Sequence, residues 1–150
     1  MNTDGQKKSE AFRLVSEEEL CLAALDAMKY AYVPYSRHTV GAALLTKEGR
    51  IYKGCNIENA AYGPTNCAER TAIFKAVSEG ERSFAAIAIC GGLEGHVDGL
   101  FPPCGVCRQV MREFCSLDMP VLLIEKAEPL SFRRYTLGEL LPVSFGPEDL

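Results

Sequence analysis

The chain has 150 residues, nearly half of them hydrophobic, and a formal net charge of −4, which suits one domain with its own core. No apolar run approaches the ~18 residues of a membrane-spanning helix, and the first ten residues are polar where a secretion signal would be apolar. Scattered basic residues and the lack of tryptophan argue against a nucleic-acid partner, which calls for a basic groove and stacking aromatics.

Seven cysteines, an odd number, fit reduced thiols in a cytoplasmic protein better than a disulfide framework. Residues 1–15 read as a flexible tail, and 16–150 as a single domain. Ser16, a capping residue, precedes Glu17-Glu18-Glu19, and Leu20, Ala23, Ala24, Ala27 and Ala31 recur at helical spacing. They predict a helix to about residue 32, stopped by Pro34. Residues 40–45 and 51–57 flank the turn-like Lys47-Glu48-Gly49-Arg50 and predict a β-hairpin. A second helix, over 66–80, opens on Asn66 as cap and closes on Gly80.

The apolar run 85–90 predicts a strand, followed by a Gly-rich loop and a helix from Cys104 to about residue 114, announced by Pro102-Pro103. A strand over 121–124, an edge strand over 132–135 and a short helix over 137–141 complete the chain. Helical crossovers between strands imply an α/β fold, a three-layer α/β/α domain around a mixed sheet of about five strands. Cys21, Cys55, Cys90 and Cys115 lie in apolar stretches and read as core filler.

The remaining cysteines carry the chemistry. Cys67-Ala68-Glu69 is followed, after a long gap, by Pro103-Cys104-Gly105-Val106-Cys107. Three thiolates can hold Zn²⁺ and leave a fourth tetrahedral position for water, the open arrangement of a catalytic site. Cys104 and Cys107, at i and i+3, share one face of a first helical turn. Both metal-bearing helices would then aim the positive ends of their dipoles at the metal. This offsets the net charge of about −1 that three thiolates leave on a dication. Arg70 is placed to hydrogen-bond the sulfurs. Glu69 alone could complete a capping box with Asn66, but between these cysteines it reads as the proton carrier. A closed site with three cysteines and a histidine is the rival, since His38 and His96 are available, though neither has finger-like spacing. Asn56 and Glu58, two apart near a strand end, would point to the same side and suit a sugar hydroxyl.

Taken together, the chain resembles the small, tetrameric, free-nucleoside cytidine deaminases. The matching segments are Pro34-Tyr35-Ser36, Val40-Gly41-Ala42-Ala43-Leu44, Gly54-Cys55-Asn56-Ile57-Glu58-Asn59-Ala60, Cys67-Ala68-Glu69-Arg70-Thr71-Ala72, Pro103-Cys104-Gly105-Val106-Cys107-Arg108-Gln109 and Ser144-Phe145-Gly146-Pro147-Glu148. The resemblance implies hydrolytic deamination of cytidine and 2′-deoxycytidine to uridine and 2′-deoxyuridine, with ammonia released, in pyrimidine salvage. One zinc per subunit would be held by Cys67, Cys104 and Cys107, and Glu69 would shuttle protons. Asn56 and Glu58 would bind ribose, and Ala68 would contact the substrate from the helix start. Ala60 and Tyr62 would line a site completed by neighbouring subunits of a homotetramer, and Phe145 would enter a neighbour's pocket.

Two departures stand out. His38 occupies the position where the family commonly packs an aromatic on the pyrimidine, and the 91–101 loop looks a few residues longer than the family's and reads as surface decoration. The alternatives are a deaminase of an aminated nucleoside antibiotic of the blasticidin S type, and a noncatalytic zinc-stabilised binding module. Asn56-Ile57-Glu58-Asn59 speaks against the first, and the intact Cys67-Ala68-Glu69 against the second.

Overall fold

A computed structural model describes residues 14–150, so the tail expected over 1–15 lies, up to residue 13, outside the described residues. The elements are α1 (Glu17–Met28), β1 (His38–Thr46), β2 (Ile51–Cys55), α2 (Ala68–Ser78), β3 (Phe84–Leu93), α3 (Gly105–Phe114), β4 (Pro120–Lys126), β5 (Ser131–Thr136) and α4 (Leu137–Leu140), with a final 3₁₀ turn, Pro147–Asp149. The five strands form one sheet in the order β2-β1-β3-β4-β5. The β3–β4 pair is parallel, bridged by α3, and the other pairs are antiparallel. The expected mixed sheet is thus present.

Strand alternation divides the core between the two faces of the sheet. Ala43, Ala88, Cys90, Leu122 and Ile124 meet Leu20, Cys21, Ala24 and Met28 of α1. Val40, Leu44, Ile87, Ile89, Val121 and Leu123 pack instead with Ala68, Ala72 and Ile73 of α2 and Cys107 and Met111 of α3. Both metal-bearing helices therefore lie on one face. Gly54 lets α2 settle closely on β2, since a Cβ there would stand 2.4 Å from the Ala68 carbonyl oxygen and 2.5 Å from the Ala72 nitrogen. Cys21, Cys90 and Cys115 are buried as expected, whereas Cys55 is only partly buried; all seven cysteines are free.

Three of the boundary differences from the sequence reading arise because a backbone group finds a non-local partner. The first helix ends at Met28, short of residue 32. Tyr32 instead donates its N–H to the Asn56 carbonyl and accepts from the Glu58 N–H, which pulls the chain out of the helix and alongside Ile57. The second hairpin strand ends at Cys55, because the Asn56 carbonyl turns to the Tyr32 N–H and, while the Asn56 N–H still donates to the Val40 carbonyl, its side chain replaces the carbonyl toward β1. Its Oδ1 accepts from the Val40 N–H at 2.9 Å, and its Nδ2 donates to the His38 carbonyl at 2.8 Å. Asx side chains compete with strand ladders in this way. β3 runs past the apolar stretch to Leu93, because Gly91, Gly92 and Leu93 pair with Val40, Thr39 and His38.

Candidate active site

The sulfurs of Cys67, Cys104 and Cys107 lie within 4.8 Å of one another. Their placement follows from local helix starts. Cys67 is the N-cap of α2 and Cys104 the N-cap of α3, while Cys107 sits at the third position of α3 and donates its N–H to the Cys104 sulfur at 3.5 Å. The cap expected at Asn66 therefore falls one residue later. Asn66 pairs its N–H with the Ile57 carbonyl and donates its side-chain amide to Thr71 Oγ1, leaving Cys67 at the helix end. Arg108 fixes the approach to α3 by donating Nε to the Pro103 carbonyl and Nη1 to the Leu140 carbonyl, both at 2.7 Å. This contact between distant segments had no local signal.

The donor set fits zinc. A tetrahedral ion with Zn–S bonds of ~2.3 Å places its sulfurs ~3.8 Å apart, and Cys67 Sγ stands 3.8 Å from Cys104 Sγ. Arg70 Nη2 donates to Cys67 Sγ at 3.2 Å, as its position beside the motif suggested. Its Nε is buried with no partner, the one such side-chain atom among the described residues. A guanidinium held in this way calls for anionic neighbours, which the thiolates supply. Contact with Cys107, Arg70 and Cys104 pulls Cys67 down to about 5. Cys107 is pushed up by its neighbour Cys67 and by burial. The opposite shifts belong to one hydrogen bond, in which Cys107 keeps its proton and donates it to the Cys67 thiolate that Arg70 also holds. The donor cluster contains neither His38 nor His96; His96 is exposed and its Nδ1 faces the Leu93 carbonyl. The rival closed site therefore lacks its fourth ligand among the described residues.

A cavity of about 220 Å³ opens beside the sulfurs, lined by Cys67, Ala68, Glu69 and Cys104 at one end and by His38, Asn56, Phe101 and Pro102 around it. Glu69 is only 3 % exposed, and burial pushes its carboxyl up. It is therefore no solvent-facing capping-box member. A second cavity, of about 400 Å³, is bounded by Tyr35, Glu58 and Tyr62. The two share Ser36 and Thr65. The expected ligand-binding residues thus fall in adjoining spaces, Asn56 in one and Glu58 in the other.

Because β2 has already ended, strand alternation does not set the directions of Asn56 and Glu58. Backbone capture does. Glu58 Oε1 accepts the N–H groups of Tyr35 at 3.0 Å and Ser36 at 3.1 Å. Hydrogen bonding from the Ser36 side chain, and then from these N–H groups, holds its carboxyl below the usual range. Both residues shape the segment leading into β1, a task the sequence did not announce. Ala60 and Phe145 border neither cavity and are exposed. The carbonyl of Phe145 is held by Gln109 Nε2 at 3.0 Å.

The loop read as decoration contributes to the cavity instead. Arg37 pairs with Glu94 at 3.0 Å, Thr39 Oγ1 accepts from the Gly95 N–H, and Gly99 donates to the Glu125 carbonyl. The pinned segment then delivers Phe101 and Pro102 to the cavity wall.

The sequence profile of the family described as the cytidine and deoxycytidylate deaminase zinc-binding region matches residues 15–123. The chain belongs to that family. Among curated proteins, it is 53 % identical over 133 residues to the cytidine deaminase of Sporosarcina psychrophila, covering 89 % of this chain and 93 % of that one. The cytidine deaminase of Halalkalibacterium halodurans is 49 % identical, with 91 % and 98 % covered. A crystal structure of cytidine deaminase from Burkholderia pseudomallei superposes with a TM-score of 0.79 at 44 % identity, covering 87 % of this chain and all of that one. Within this zinc-binding family, the three cysteines gathered here are the residues whose geometry can hold the ion.

Proposed function

We propose that the protein is a zinc-dependent cytidine deaminase, converting cytidine and 2′-deoxycytidine with water to the uridines and ammonia, in pyrimidine salvage. The observation that carries this reading is the buried carboxyl of Glu69 lining one cavity with the sulfur cluster. Cys67, Cys104 and Cys107 hold the zinc, which when bound supplies Lewis acidity to a water in the cavity. Glu69 accepts a proton from a water and passes it to N3 of the pyrimidine as the water oxygen bonds to C4; it then takes the second proton from that oxygen and delivers it to the amine, which leaves as ammonia when the C4–N4 bond breaks. Burial favours this work by keeping the carboxyl ready to hold a proton nearer neutrality. Arg70 holds the Cys67 thiolate and offsets its charge.

Asn56 and Glu58 take the ribose with the capacity their bonds to the protein leave over. Among the described residues, neither adjoining cavity has a lysine or arginine in its lining. A nucleoside fits this lining, whereas a 5′-phosphate beside Glu58 and the thiolates meets like charge with no cation to neutralise it. Ala60, Tyr62 and Phe145, exposed in the single chain, serve sites shared between subunits of a homotetramer, to be checked by light scattering.

The direct test follows the absorbance of cytidine with zinc-loaded protein, with and without a chelator, and compares kcat/KM for cytidine and CMP. Chelator-sensitive loss of cytidine, with CMP the poorer substrate, is expected. Equal use of CMP would refute the nucleoside assignment, and no turnover of cytidine would refute the activity.

A further inference from the structure

The cavity beside the sulfur cluster has two rings in its wall, and one of them lies outside every recognised motif. Phe101 lines the cavity together with His38. The two rings stand with centroids 6.4 Å apart and planes inclined by 28°, a nearly parallel stack. Phe101 is half-buried and packs on the same core cluster as Ala68 and Cys107. Its position depends on a bare backbone beneath it. A Cβ on Gly91 would stand 2.6 Å from both Cγ and Cδ1 of Phe101, closer than real contacts allow. Gly91 in turn pairs with Val40, another residue of the cavity wall. The Phe101 ring is therefore seated on the β1–β3 ladder, at the end of a loop tied down by Glu94, Gly95 and Gly99.

We propose that Phe101, seated on Gly91, is a specificity-determining residue that supplies the main apolar face for a flat heterocycle in this cavity, with His38 as its partner ring. The proposal rests on the deaminase reading for the identity of the heterocycle, a pyrimidine. An imidazole offers less apolar surface than a phenyl ring, and Phe101, stacked beside His38 in the cavity wall, adds that surface. A phenyl ring has no proton to transfer and no donor atom for a metal, so the contribution of Phe101 falls on binding and leaves the chemical step alone.

Four proteins test this: Phe101→Ala, Phe101→Leu, Gly91→Ala and the double variant Gly91→Ala/Phe101→Ala. Each is measured for kcat and KM with cytidine and, by calorimetry on zinc-loaded protein, for its Kd with uridine. Phe101→Ala should raise KM and the uridine Kd about tenfold, the scale of one lost base–aromatic stack, with kcat and zinc content close to wild type. Phe101→Leu, which keeps apolar bulk without a ring, should fall between. Gly91→Ala should repeat the loss by displacing the ring, and the double variant should be no worse than Phe101→Ala. Wild-type KM and Kd in Phe101→Ala would overturn the proposal. So would a fall in kcat at unchanged KM, or additive losses in the double variant. Should Phe101→Ala not fold, wild-type KM and Kd in Phe101→Leu would overturn it equally. A wild-type protein inert toward cytidine that binds uridine through Phe101 would sink the deaminase reading while sustaining this one.

Discussion

Replacing Asn56 by Ala separates a strut from a simple sugar contact. The side chain makes two hydrogen bonds to β1, accepting from the Val40 N–H and donating to the His38 carbonyl. Val40 is only 7 % exposed, so its N–H stays unpaired in the variant at a cost of about 1–3 kcal/mol, whereas the His38 carbonyl, on an exposed residue, regains water. A total of about 1–3 kcal/mol follows, which for a chain of this size lowers Tm by about 2–12 °C. Because His38 and Val40 both line the cavity, KM for cytidine should rise as well. Asn56→Asp, equal in size, should also be destabilised, since its second carboxylate oxygen faces the His38 carbonyl where an N–H stood. Differential scanning calorimetry and steady-state kinetics on purified, zinc-loaded variants read both effects. An Asn56→Ala protein that melts with the wild type while losing cytidine affinity would refute the strut and leave only a contact with substrate.

Glu69→Gln should keep zinc and melt no lower than the wild type, since a buried carboxyl is exchanged for a neutral amide, yet lose about 10²–10⁴ in kcat; near-normal turnover with one zinc bound would place the proton carrier elsewhere. Alanine at Cys67, Cys104 or Cys107 should abolish stoichiometric zinc by metal analysis, whereas His96→Ala should retain it. Glu58 has its carboxyl lowered by the Ser36 side chain and the N–H groups of Tyr35 and Ser36. Its hold on that segment is therefore complete above the ordinary value of 4.5 and lost as pH falls through the lower folded value. An NMR titration should show the Ser36 amide shifting below pH 4.5, and a Ser36 amide that shifts only at higher pH would contradict the contact.

The elements and the metal cluster were legible because their signals are local. The turn-like residues between the apolar runs 40–45 and 51–57 and the helical spacing after Ser16 mark the element types, and both metal motifs sit at helix starts where short-range geometry already fixes sulfur directions. Arg70 was equally readable, since one helical turn brings it back to the sulfur of Cys67 three residues earlier. What escaped was every feature fixed by a partner far along the chain. Asn66 looks like the better cap by residue type, yet the Ile57 carbonyl takes its N–H and shifts the cap to Cys67. Tyr32 fits the helical pattern until Asn56 and Glu58 offer its backbone other partners.

The same distinction explains why the cavity's walls were harder to read than its chemistry. A metal and a proton carrier require particular atoms, and few residue types supply them, so Cys67, Glu69, Cys104 and Cys107 stand out in any sequence. A wall requires only shape. Phe101 is an ordinary apolar residue in a loop, and what makes it part of the site is the missing side chain of Gly91, ten residues earlier on a strand. Asn56 and Glu58 occupy an intermediate place, because their polarity drew attention while their first hydrogen bonds go to the protein's own backbone. If they take the ribose as proposed, residues that use only part of their capacity for a ligand and hold the scaffold with the rest would place that ligand against a surface that is already fixed. Such preorganisation reduces the ordering left for binding to accomplish.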